Sequence, residues 1–119
     1  MRADELRDAV AAIEGVTESP SRFKDDLAYW VNGTEILHFE PDGTVDIRLT
    51  RAIIAEHRAE LRADPAVTLR GHSADWVTVA VTDPAGAARA LELAGWAAAA
   101  HRAPAGTVGR PPSSGRRRR

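Results

Sequence analysis

Hydrophobic residues recur along this chain with two different periods, which predicts a mixture of helices and strands. Leu6, Val10 and Ile13 share one helical face near the N-terminus, and a similar spacing returns in two later segments. Between those segments apolar and polar residues alternate, as in strands with one face in a core. The predicted helices are Ala3–Glu14, Arg51–Arg62 and Pro84 to about Arg102, and the predicted strands are Leu27–Val31, Thr34–Glu40, Thr44–Leu49, Val67–His72 and Trp76–Thr82.

Two turns connect the first three predicted strands. Asn32-Gly33 is typical of a two-residue hairpin, because both turn positions need positive φ. Pro41-Asp42-Gly43 fits a type I turn followed by a glycine bulge. The resulting order, α-β-β-β-α-β-β-α, predicts a single α+β domain with an antiparallel sheet of about five strands and helices on one face.

The second of these turns also predicts which side chains meet across the sheet. With a three-residue loop, Glu40 pairs with Thr44 and His38 lies beside Asp46. One face then collects Trp30, Leu37, Phe39, Val45 and Ile47, and the other collects Tyr29, Ile36, His38, Asp46 and Arg48. A histidine beside a carboxylate is the arrangement of a general base with its orienting group. As a plain cross-strand polar pair it would contribute less than about 1 kcal/mol.

Charge is divided unevenly along the 119 residues. Residues 103–119 hold five arginines and no acidic residue, which leaves 11 basic and 17 acidic side chains, and a net charge of −6, in residues 1–102. We therefore predict one folded domain over 1–102 and a disordered, arginine-rich tail over 103–119. Because the domain is acidic, contact with nucleic acid would be limited to Arg116–Arg119.

Several classes of protein are excluded by what the sequence lacks. Without cysteine there are no disulfides, thiolate nucleophiles or cysteine-based zinc sites. No apolar run approaches the roughly 20 residues of a membrane span, and the charged start of the chain does not resemble a secretory leader. We therefore expect a cytoplasmic protein without membrane contact. Neither GxGxxG nor GxxxxGK occurs, which argues against a nucleotide phosphate site.

Two other groupings of reactive side chains have less support. His38, His72 and Asp46 could form a His-His-Asp metal site, but no short ligand spacing such as HExxH accompanies them. Ser73 and His72 are strand neighbours that point to opposite faces, and no G-x-S-x-G elbow is present. The chain also has three tryptophans that could stack an aromatic ligand or pack in the core: Trp30, Trp76 and Trp96.

Short motifs between about residues 10 and 100 resemble the small luciferase-domain proteins, which are common in high-GC actinobacteria and are similar to the domain of fungal luciferases. Gly33 to His38 fits the "G-x-E-I-x-H" strand of that family, and Val45 to Ile47 fits its "h-D-h" segment before a helix. A histidine, His72, and a "W-V" strand at Trp76 follow in the same order.

The resemblance implies a site for an unidentified small molecule. It carries over His38, Asp46 and Arg51 as catalytic residues and Glu35, His72 and Trp76 as substrate-binding residues. The fungal enzymes oxidise a hydroxypyrone with molecular oxygen and need no metal or flavin, so the resemblance implies an oxygenase of the monooxygenase type without a cofactor. In such a reaction His38 would be the general base, held by Asp46, and Arg51 would bind a carboxylate or enolate oxygen. Because a fold does not supply a reaction, the alternative is a non-enzymatic binding or interaction module.

Overall fold

The computed structural model describes residues 1–71 and 74–102. Within these ranges the strands are β1 (Val16–Pro20), β2 (Leu27–Val31), β3 (Thr34–Phe39), β4 (Thr44–Arg48), β5 (Val67–Leu69) and β6 (Trp76–Ala80). The helices of the same ranges are α1 (Ala3–Ala11), α2 (Arg51–Glu56), α3 (Arg58–Ala63) and α4 (Pro84–Arg102). The strands form one antiparallel sheet in the order β1-β2-β3-β4-β6-β5. The predicted α+β class is confirmed.

Both predicted turns form, and they set the register at the centre of the sheet. Asn32 and Gly33 have φ of 53° and 80°, as the hairpin requires. Gly43 has φ of 84° after Pro41 and Asp42, and the β3–β4 ladder then pairs Phe39 with Val45, His38 with Asp46, and Leu37 with Ile47. The predicted pairing of these two strands is therefore confirmed.

The core lies between one face of the sheet and the helices. The long helix α4 contacts β2, β3, β4 and β6, and its buried side chains are mainly alanines, which allow the helix to lie close to the strands. At Gly86 even a methyl group would lie 2.0 Å from the carbonyl oxygen of Ala80, so this position in the first turn of α4 has no room for any residue larger than glycine. None of the helices in the described ranges has the length and apolar character needed to cross a bilayer.

The opposite face of the sheet carries polar side chains and is crossed by a short segment of chain. Asp46 on β4 pairs with His38 on β3 and with Thr78 on β6, so the three side chains form a row. Residues 21–26, which connect β1 to β2, contact this row: the Phe23 ring lies 6.0 Å from the His38 ring. We refer to residues 21–26 as the covering loop.

Several features of the backbone differ from the sequence prediction, including earlier ends for α1, at Ala11, and for β5, at Leu69. An additional edge strand, β1, pairs with β2, so the sheet of the described residues has six strands rather than about five. The single helix predicted over residues 51–62 is divided at His57, whose φ and ψ of −112° and 19° end α2 and begin α3.

The predicted division of side chains between the two sheet faces is wrong at three positions. Tyr29 pairs with Leu37 and Trp30 pairs with Glu35, so Ile36 is an extra, bulged residue in β3. The bulge reverses the alternation: Tyr29 and Ile36 are fully buried in the core, whereas Trp30 lies on the His38 side. Assigning residues to the two faces by counting along a regular strand does not predict this reversal.

Candidate functional site

His38 is at the centre of the polar face and is surrounded by carboxylates. Its Nδ1 lies 2.9 Å from Glu35 Oε2, and its Nε2 lies 3.0 Å from Asp46 Oδ2 and 3.2 Å from Glu40 Oε2. Glu35, His38 and Asp46 are buried, with 3%, 7% and 8% of their surfaces exposed. The side chain of Glu40 is 24% exposed and forms the solvent side of the group. The histidine–aspartate pair of the sequence prediction is thus part of a larger buried network.

The hydrogen bonds around His38 restrict where its protons lie. A neutral imidazole has one N–H donor and one acceptor nitrogen, whereas an ionised carboxylate only accepts. Carboxylate oxygens face both ring nitrogens. Both nitrogens have suitable partners when each of them carries a proton. They also have suitable partners when only Nδ1 is protonated and a cation lies between Nε2 and its two carboxylates.

Glu35 orients the histidine. The bulge at Ile36 turns Glu35 to the same face as His38, although three positions separate them. The covering loop then holds the carboxylate: Ser21 Oγ donates to Oε2 and the Arg22 backbone N–H donates to Oε1, each over 2.7 Å. Because both oxygens of Glu35 are engaged, the side chain fixes the direction of Nδ1.

Asp46 is held from the other side of the network. Thr78 Oγ1 donates to Asp46 Oδ1 over 2.8 Å, and an Arg70 guanidinium nitrogen lies 2.7 Å from the same oxygen. Burial raises the pKa of the Asp46 carboxyl, but the hydrogen bond from Thr78 and the charge of Arg70 outweigh it, so the pKa lies below its ordinary value of 3.8. Asp46 is therefore ionised at neutral pH.

Aromatic side chains cover the imidazole. The ring of Trp76 lies 5.2 Å from that of His38, and Phe23 meets Trp76 edge-on at 5.9 Å between ring centroids. Phe23 is 59% exposed, so much of its ring faces solvent. Its position over a buried histidine, at the tip of the covering loop, makes it part of the wall that a ligand would meet.

A cleft of about 110 Å³ opens beside this aromatic wall. Arg22, Phe23 and Trp30 line it together with Glu35 and Arg48. The Nε1 of Trp30 is buried, and among the described residues it has no hydrogen-bond acceptor. A buried indole N–H without a partner is costly, so a polar ligand in this region could satisfy it.

The structure brings together some of the sequence-predicted site residues and not others. Glu35, His38, Asp46 and Trp76 lie in one group. Arg51 begins α2 as an exposed residue, and within residues 1–71 and 74–102 its guanidinium makes no hydrogen bond or ion pair; only its backbone N–H is bound, by Asp75.

The remaining predicted residue, His72, lies outside the described residues, as do Ser73 and the arginine-rich tail over 103–119. The roles predicted for His72 and Arg51 stay predictions. Arg48 also lies on the polar face beside the aromatic wall, and its guanidinium carbon is 5.8 Å from the Trp76 ring.

Sequence reasoning missed the outer members of the network, which are Ser21, Lys24, Glu40, Arg70 and Thr78. Alternation along β3 and register across β4 and β6 could have placed Glu40 and Thr78 on the His38 face. No short-range pattern places Ser21 and Lys24 there, because the covering loop folds back over the sheet.

Comparison with known proteins agrees with the motifs in the strands. Residues 33–97 match the family model described as Luciferase domain. The matched stretch contains Glu35, His38, Asp46 and Trp76, whereas the covering loop precedes it. Searches of curated proteins and of solved structures gave no match.

Proposed function

The chain belongs to the luciferase-domain family, and on that premise we propose that it binds a small organic molecule on the His38 face of its sheet and transfers a proton there. One observation carries the proposal: a buried imidazole lies among three carboxylates beneath two aromatic rings. A structural ion pair alone does not require an exposed phenylalanine above it. A ligand that packs on Phe23 would cover the exposed ring.

His38 is the proton-transfer group of this proposal. Asp46 and Glu35 hold its two ring nitrogens in fixed directions, which a general acid or base requires. Glu40 lies on the solvent side of Nε2, so a proton from a bound molecule can reach the imidazole at this edge. Glu35, which was predicted to contact substrate, acts here as a positioning residue because both of its oxygens are already engaged.

Deprotonation is also the step that an oxygenase without a cofactor needs. Removing a proton from a hydroxypyrone leaves an electron-rich enolate, and the protein then has to stabilise its negative charge. Arg22 and Arg48 line the cleft next to His38, and the Trp30 N–H is available as a donor. We assign the charge-stabilising role first to Arg48, with the exposed Arg51 as a second candidate.

The three tryptophans allow a direct binding test. Trp30 and Trp76 lie on the His38 side, whereas Trp96 lies on α4, where its ring packs 4.5 Å from His57. In an NMR titration of the full chain with a simple hydroxypyrone, the indole N–H signals of Trp30 and Trp76 should shift in a saturable way. The signal of Trp96 should not move. Equal shifts of all three signals, or none, would contradict a ligand site on this face.

Oxygen uptake then separates an enzyme from a binding module. If the chain is an oxygenase, uptake with the hydroxypyrone should fall about 10²–10⁴-fold in His38→Gln, the usual contribution of a general base. The control is His57→Gln, which changes a histidine on the helical side of the sheet. Binding without oxygen uptake by the unmodified chain would refute the oxygenase and leave the non-enzymatic alternative.

A further inference from the structure

Three potential metal ligands converge on the solvent side of His38. They are His38 Nε2, Glu40 Oε2 and Asp46 Oδ2, and all three atoms lie within 4.8 Å of one another. The two nitrogen–oxygen distances are 3.2 Å to Glu40 and 3.0 Å to Asp46. We refer to these three side chains as the His38–Glu40–Asp46 cluster.

Each member of the cluster is held at its other polar atom by a group outside the cluster. Glu35 binds Nδ1 of the histidine. Thr78 and Arg70 contact Oδ1 of Asp46. Lys24 pairs with Oε1 of Glu40. Metal-binding histidines and carboxylates are typically oriented by outer partners of this kind, which leave one atom of each ligand directed at the ion.

The surroundings of Nε2 also suit a cation. This nitrogen is directed at one oxygen of Glu40 and one of Asp46, and His38 is more than nine-tenths buried. A metal ion among the three atoms would bind the imidazole nitrogen and balance the charge of the two carboxylates.

We propose that the His38–Glu40–Asp46 cluster binds a divalent first-row transition ion. Zinc–nitrogen and zinc–oxygen bonds are about 2.0–2.2 Å long, so two ligands at right angles lie about 3.0 Å apart and two at the tetrahedral angle about 3.4 Å apart. The two nitrogen–oxygen distances of the cluster fall in this interval. An imidazole with two carboxylates suits Zn²⁺, Co²⁺ or Mn²⁺, whereas Mg²⁺ favours sites built from oxygen alone.

Ion binding and proton transfer use the same atom. An ion on Nε2 occupies the lone pair that accepts a proton, so the bound ion would switch off proton transfer by His38. Three protein ligands also leave coordination positions for water or for an oxygen of a small molecule. The inference does not rest on the proposed function, because ion binding is measured without any organic ligand.

The test is calorimetry of the full chain, freed of metal by a chelator, with ZnCl₂ and with CoCl₂. We expect one ion per chain, visible absorption from bound Co²⁺, and no comparable heat with MgCl₂. Glu40→Gln should weaken binding at least tenfold, and Glu35→Gln should weaken it about 10–100-fold, as removal of an outer partner usually does. Glu40 is partly exposed, so its variant remains informative if a variant of His38 fails to fold.

The matched control is His57, a second histidine of the described residues that has carboxylates nearby. His57 lies 3.3 Å from Glu60 and 3.9 Å from Glu56, on the helical side. His57→Gln should leave Zn²⁺ binding unchanged. Loss of binding in His57→Gln but not in Glu40→Gln would place the ion elsewhere and overturn the proposal. So would the absence of any one-to-one binding of Zn²⁺ or Co²⁺.

Discussion

Replacement of His38 by alanine should destabilise the protein by an amount that depends strongly on pH. The imidazole lies among Glu35, Asp46 and Glu40, and its removal leaves these three carboxylates around one cavity. Lys24 and Arg70 still contact two of them from outside. The variant therefore combines a lost side chain with uncompensated negative charge, and only the charge responds to pH.

The size of the effect follows from the burial of the group. Breaking a fully buried ion pair costs about 3–5 kcal/mol. Water reaches this network through the partly exposed Glu40, so we expect about 2–3 kcal/mol near pH 7, below the fully buried range. At roughly 4–8 °C per kcal/mol for a small domain, the melting temperature should fall by roughly 10–20 °C.

The assay is urea unfolding at pH 7 and at about pH 4.5, where carboxyl groups begin to take up protons, with chelator present at both. The penalty of His38→Ala should decrease by at least half at the lower pH. Leu61→Ala, which removes a fully buried apolar side chain, should cost about 2–5 kcal/mol at both values. A His38→Ala penalty that is the same at both pH values, or larger in acid, would refute the electrostatic explanation.

Three further predictions concern single groups. Because the pKa of Asp46 lies below 3.8 in the folded chain, its stabilisation is present above that pH and is lost as pH falls through the native pKa; Asp46→Asn should remove this part of the acid unfolding curve. Burial raises the pKa of Tyr29 to about 12, so above pH 10 the unfolded chain ionises first and stability falls; Tyr29→Phe should flatten alkaline melting curves. Thr50 has φ of 87° and ψ of 150°, a conformation that is essentially restricted to glycine. Thr50→Gly should therefore raise the free energy of unfolding by about 1 kcal/mol, because relief of strain exceeds the small loss of the cap; a decrease would show that the strain is absent.

The centre of the fold could be predicted from the sequence because local chemistry determines it. Positive φ at Asn32, Gly33 and Gly43 fixes two turns, and the second turn places His38 beside Asp46 without any long-range information. The start of α4 at Pro84 and the class of the fold were likewise predicted correctly.

The rest of the site depends on tertiary structure that leaves little trace in the pattern. Strand β1 contains few apolar residues and ends in Pro20, so the alternation of apolar and polar residues does not predict it. It is stabilised by its pairing with β2. That pairing sends the covering loop over the sheet, which places Ser21 on Glu35 and Phe23 on His38. The helical spacing of apolar residues continues through His57, so it does not predict that the second helix is divided there.

The bulge at Ile36 makes the site depend on the number of residues in β3 as well as on their identity. In a regular strand, residues three apart point to opposite faces, so Glu35 and His38 could not both belong to the polar network. A related chain that keeps this three-residue spacing but has no bulge would keep both side chains and turn the glutamate into the core. The spacing E-x-x-H, together with a small-residue turn before it and a strand aspartate after it, is therefore a criterion for deciding which related sequences can build the same histidine environment.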